Sequence, residues 1–332
     1  MPVTFALLQR QDATTSEAVI AQLRDFAPFE ALAAAEARET AARDRADDEK
    51  LQAGVDLAVA KGVLPAGLVP APYHSIPVEG KSTDDITAEI MAGLPRGAGS
   101  VIVLVGLSGT GKGTTVARLS QQLPNAVTWS NGNVFRSLTL LALKWCEAQG
   151  LPAFDPAAAL TPGNLKDFMG MLRFGRVGGG GGGGGEGGGE GAGAAAPAAA
   201  DAPFDIEIEG LGVRARVADI ANTALKAPDV SKHIPTVANV TQGEVVGFVA
   251  GATRMMSEAG MNVIIEGREA TVNHIPTPHR FALTLADPGT IGRRRAAQRI
   301  MAAAAKEAAA GASEGDIDAA LRALAEKMAP AA

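Results

Sequence analysis

The sequence predicts an α/β fold of three layers, a mainly parallel sheet between helices, preceded by an α-helical N-terminal extension. Three observations predict it. Val101 to Val105 is an unbroken apolar run with four β-branched residues, which suits a strand buried on both faces. A glycine-rich turn follows at once, and then a helical pattern with Val116, Leu119 and Leu123 on one face. Further buried-strand runs at Val263–Ile265 and Phe281–Leu285 each lead toward a helix, and strands alternating with helices make a parallel sheet.

The turn reads Gly106-Leu107-Ser108-Gly109-Thr110-Gly111-Lys112-Gly113-Thr114, which has the G-x-x-x-x-G-K spacing of a P-loop. Glycines let backbone N–H groups point at an anion, and the helix N-terminus adds its positive dipole end. Lys112 offers a cation to the outer phosphates, and Thr114 or Thr115 a hydroxyl to phosphate or a hydrated Mg2+. An ordinary glycine-rich turn does not need lysine and threonine in register behind a buried strand. The expected ligand is a nucleoside triphosphate.

The chain has 332 residues and a net charge of −6, unevenly placed. Residues 1–95 hold 8 basic and 15 acidic residues, so the acidic excess lies ahead of the P-loop strand and no basic surface invites nucleic acid. The single cysteine, Cys146, forms no internal disulfide and suits a buried position on a helix. The four histidines are scattered without metal-ligand spacing, and no apolar run approaches a membrane span. With no signal-like start, the chain reads as soluble and cytoplasmic, and nothing in its first residues argues for an organelle.

In chain order, residues 1–95 form an acidic helical extension and a Pro-rich connector. Ile20, Leu23 and Phe26 mark one short apolar stripe, and Leu51, Val55, Leu57 and Val59 another. Between them Arg38 to Lys50 is almost wholly polar and is expected in solvent. The stretch is either a solvated extension or an arm that docks on a protein partner. Residues 62–80 read as an irregular connector, followed by a helix capped by Ser82 with Asp85 at the capping-box position. A catalytic-type domain is expected over 96–330. Within it, Ala126–Trp129 is a short strand and Ser130–Asn133 opens a helix bearing Arg136. The Gly/Ala-rich tract 178–200 is a flexible insert, residues 204–217 a hairpin, and Glu244–Ala259 a helix ended by Gly260. Arg293, Arg294, Arg295 and Arg299 on the last long helix either bring charge to the strand ends or face solvent as a basic stripe.

Taken together, these segments resemble the cytidylate kinase family of P-loop nucleoside monophosphate kinases. GLSGTGKGTT is similar to that family's P-loop, SNGNVFRSLTLLAL to its phosphate-contacting helix, and VIIEGRE with FALTLADPGTIGRRRAAQ to its Gly-Arg-Asp segment, next strand and Arg-rich helix. The resemblance implies phosphoryl transfer from ATP, with Mg2+, to CMP or dCMP. It places ATP on Gly106, Ser108, Gly109, Thr110, Gly111, Lys112, Gly113 and Thr114, with Thr114 toward the Mg2+. Lys112, Arg136 and Arg268 would act on the phosphates, and Arg136, Arg254, Arg268 and Glu269 would hold the monophosphate.

The sequence departs from the family pattern at several points. Glu266 and Glu269 stand where the family has aspartates, and Pro235 and Glu244 where it reads the cytosine edge. The residues after the Arg-rich helix do not resemble the family's Arg-Asp-rich lid. The alternative is therefore a catalytically impaired nucleotide-binding scaffold of kinase-like fold.

Overall fold

The computed structural model describes residues 2–11, 13–95, 97, 99–177, 202–287, 289–308 and 311–330. The insert expected at 178–200 lies outside them. The chain opens with α1 (Phe5–Arg10), α2 (Ala13–Gln22) and the long α3 (Ala27–Ala60), then β1 (His74–Pro77), α4 (Thr83–Ala92), β2 (Val101–Gly106), α5 (Lys112–Gln122) and β3 (Ala126–Trp129). Next come α6 (Gly132–Ala148), α7 (Pro156–Ala159), α8 (Pro162–Gly170), β4 (Leu172–Arg176), β5 (Phe204–Gly210), β6 (Val213–Arg216) and α9 (Val217–Ile220). The chain continues through α10 (Pro228–Glu258), β7 (Asn262–Glu266), α11 (Glu269–Val272), β8 (His279–Thr284), α12 (Gly289–Glu307) and α13 (Glu314–Met328).

The predicted three-layer α/β architecture is present. The main sheet has the order β1-β8-β2-β7-β3, with every pair parallel. Alternation along β2 assigns its side chains to two cores. Val101, Val103 and Val105 pack with α6 and α10 (Leu138, Leu141, Val245, Val249), whereas Ile102 and Leu104 pack with α4 and α5 (Ile86, Ile90, Val116, Leu119). This double burial explains why the run has no polar residue. A small antiparallel sheet, β4-β5-β6, contains the predicted hairpin, with Leu211 and Gly212 at positive φ in its turn.

The extension is where the fold departs most from expectation. Val19, Leu23, Phe29 and Leu32 build a third core with Ala297, Ile300 and Met301 of α12 and Leu321 of α13. The stripe that the sequence offers to a partner helix is therefore used within the chain. Further along α3, Val55 and Ala58 pack against Val246 of α10. Three glycines set these approaches: a Cβ on Gly292 would collide with the Ala33 carbonyl oxygen, one on Gly243 with Ala58 Cβ, and one on Gly54 would lie 2.6 Å from Gln242 Cγ. The connector is corrected too. Ile76 is fully buried and β1 pairs with β8, so residues 74–77 form one edge strand of the sheet. Prolines around them suggested a loop, but an edge strand tolerates proline because one row of its backbone groups is unpaired. The boundary near residue 96 thus falls inside the sheet layer, with β1 and α4 on one side of it and β2 on the other.

Candidate functional site

β2 delivers the chain to the carboxyl end of the sheet at Gly106, where ligands gather in open α/β folds. Gly106 has φ +152°, and a Cβ there would lie 2.7 Å from the Leu283 carbonyl oxygen and 2.8 Å from Thr110 Oγ1. Only glycine fits so close to β8. The loop closes through the Thr110 hydroxyl, which donates to the Leu107 carbonyl at 2.8 Å. Gly111 takes the N-cap position of α5 with φ 86° and contributes no side-chain cap, which leaves the first-turn N–H groups to other acceptors.

Lys112, the first residue of α5, turns back over the loop. Its Nζ donates to the Gly106 carbonyl at 2.5 Å and to the Leu107 carbonyl at 3.1 Å. Burial pulls its ammonium below the usual lysine range, and the Arg268 charge acts in the same direction, against the opposing pull of Glu266, Asp44 and Asp48. The loop around Gly109–Thr115 lines a cavity of about 930 Å³ that also contains Glu266, Lys81, Arg294 and Arg295. A second cavity, of about 640 Å³, is lined by Gly106, Leu107, Asp48, Glu49 and the Gly267–Ala270 segment and shares Thr110 with the first.

Asp44 is the residue that the sequence reading placed in solvent. It is 4% exposed and sits midway along α3. One carboxylate oxygen accepts from the Ser108 backbone N–H at 3.0 Å, and the other accepts from Ser108 Oγ at 2.8 Å and from Arg268 Nη2 at 2.7 Å. Burial alone would raise this carboxyl, but the hydrogen bonds from Arg268 and Ser108, with the Arg268 charge, outweigh it and hold the group at about 2. Arg268 Nε also lies 3.6 Å from Asp48. Most of the polar run along α3 is exposed, as its composition predicts, while Asp44 within it turns to the glycine-rich loop and Arg268; just ahead of the run, Glu36 meets the guanidinium of Arg299.

The other predicted residues divide. Ser108, Gly109, Thr110, Gly111, Lys112, Gly113 and Thr114 share the loop with Gly106, and Thr114 is exposed at the cavity, whereas Thr115 is buried. Arg136 lies in the first turns of α6, one element beyond the carboxyl end of β3; it is half-buried and donates to Asn133 at 3.3 Å. Among the described residues it forms no ion pair. Glu269 opens α11 beside Arg268 and borders the smaller cavity. Arg254 is a correction. It lies in the last turns of α10, which lead to the amino end of β7, away from the loop, and it pairs with Glu258 at 3.9 Å in solvent. The family resemblance suggested a site residue, but Arg254 precedes the amino end of β7, whereas Gly267 and Arg268 follow its carboxyl end. Arg254→Ala should therefore change folding free energy by under about 0.5 kcal/mol, as for exposed helical pairs, and leave ligand affinity unchanged, read by urea denaturation and ATP titration.

The arginines of α12 resolve individually. Arg293 is held by Glu30 and Asp287. Arg294 pairs with Glu17 and donates to the Gly109 carbonyl at 3.3 Å. Arg295 lines the larger cavity and, among the described residues, forms no ion pair. Their helical spacing was visible in sequence, but the face they present was not. No family model matches the chain, and no curated protein is similar to it in sequence. No helix among the described residues is long and apolar enough to cross a membrane.

Proposed function

We propose that the protein is a phosphotransferase that moves the γ-phosphoryl group of ATP to a nucleoside monophosphate, CMP or dCMP by resemblance. One observation carries the reading: a strand–glycine loop–helix with Lys112 in its first turn opens on a cavity that Arg294 and Arg295 also line. The cavity fits a triphosphate because space beside Gly111 and Gly113 is open, the α5 first turn has no side-chain cap, and four cations, Lys81, Lys112, Arg294 and Arg295, line it. The Thr114 hydroxyl and the Glu266 carboxylate line the same cavity and are the oxygen donors suited to a hydrated Mg2+. That ion would neutralise charge on the phosphates.

The chain's own residues then hold and neutralise. Lys112 exchanges its two loop carbonyls for phosphate oxygens, and Arg294 and Arg295 balance charge that develops on the transferring group. Arg268 and Arg136, following β7 and β3, grip the acceptor's phosphate, for which a guanidinium fork is well shaped.

A second reading, a nucleotide-binding scaffold without turnover, is favoured by one fact: Arg268 is already paired with Asp44 and Asp48. ATP·Mg titrated by calorimetry and ADP release against a panel of nucleoside monophosphates separate the two. Turnover of CMP that Lys112→Ala lowers by about a hundredfold or more supports the kinase. ATP binding without turnover of any monophosphate supports the scaffold, and absence of ATP binding removes both.

A further inference from the structure

We propose that α3 carries a built-in anionic competitor, Asp44, so that a substrate phosphate gains Arg268 only by exchange with this carboxylate. The inference concerns regulation of the acceptor side, and it rests on the reading of Arg268 as a phosphate ligand. A carboxylate that accepts from a loop N–H, a hydroxyl and a guanidinium has the contacts that a phosphate oxygen would seek at the same place. Arg43 Nη2 also lies 3.8 Å from the Asp44 carboxylate. Asp48 reinforces the hold on Arg268, Asp47 adds a weaker field, Arg43 reaches Ser108 Oγ at 3.3 Å, and Lys112 and Glu266 lie on the loop side.

The moving partner follows from the packing. α3 cannot step back, because it is seated on Gly292 of α12 at one end and on α10 at the other, through Gly54 against Gln242 and Ala58 against Gly243. Asp44 is therefore a fixed charge. Arg268 has a long side chain that is 21% exposed, so it is the group that swings. An incoming dianionic phosphate competes for Arg268 with the carboxylates of Asp44 and Asp48, and the helix sets how strongly it must do so. The acidic extension thus acts as a threshold on acceptor binding.

Calorimetric titration with two probes, inorganic phosphate and CMP, each in the presence of a non-hydrolysable ATP analogue and Mg2+, tests this on the full chain. Asp44→Asn should bind both about tenfold more tightly, and adding Arg268→Ala should abolish the gain. Unchanged or weaker binding by a folded Asp44→Asn overturns the proposal. Should Asp44→Asn not fold, Asp48→Asn decides: its side chain is half exposed, and it should tighten phosphate by about twofold, no gain again being fatal. Tighter inorganic phosphate with no CMP turnover in either protein would keep the competitor and overturn the kinase reading, so the two fail separately.

Discussion

Gly292→Val should lower folding stability by about 3 kcal/mol, the upper end of the range for forcing extra atoms into a packed interface. A Cβ at this position meets the Ala33 carbonyl oxygen and lies 2.8 Å from Ala37 Cβ, and neither can rotate aside, since one is backbone and the other is a methyl carbon on the α3 backbone. The helix must lift from α12. That movement strips cover from Ile300 and Met301, and it carries Asp44 away from Ser108. Urea denaturation should show an earlier midpoint at unchanged slope. The Ser108 amide proton should lose its protection from exchange in the variant.

The second large effect depends on pH. Asp44 has a folded-state value of about 2 against 3.8 for the free group, so its ionised form is favoured by folding. The resulting stabilisation is complete above the unfolded value and disappears as pH falls through the folded one. By linkage it amounts to about 2 kcal/mol at neutral pH. Asp44→Asn should therefore be less stable than the parent by about that amount at pH 7. The gap should close between pH 4 and pH 2, where the parent's own carboxyl takes up its proton. Denaturant midpoints of both proteins across that window give the measurement. A gap independent of pH would assign the loss to packing rather than to charge.

Legibility in the sequence followed the range of the interactions. Val101–Thr115 was readable because strand, turn and helix start are all specified within fifteen residues, and Ser82 with Asp85 likewise formed the capping box. Asp44 was not readable. Its partners Ser108 and Arg268 lie 64 and 224 residues away, and a polar run carries no mark of whether distant charges or water will satisfy it. The start of α10 was hidden by Pro235, which sits inside the helix at the expense of one backbone hydrogen bond. β4 was missed because its partner β5 is on the far side of the glycine tract, although their pairing from Leu172 with Ile208 to Arg176 with Phe204 is regular. The α12 arginines show the same limit. Their count was plain, but Arg293 and Arg299 are structural and Arg294 and Arg295 face the cavity, a division set by how α3 and α2 lie against that helix.

The seating of α3 on α12 also dictates an order of assembly. Arg299 and Glu36 are 263 residues apart, so the apolar face of the first helices leaves the ribosome long before the helix that will cover it. Contacts of such separation carry a heavy loop-closure cost and form late. Until then Val19, Leu23, Phe29 and Leu32 remain open to other chains or to chaperones. The Arg268 half of the Asp44 cluster spans 224 residues, so the carboxylate gains that partner only once β7 has been made.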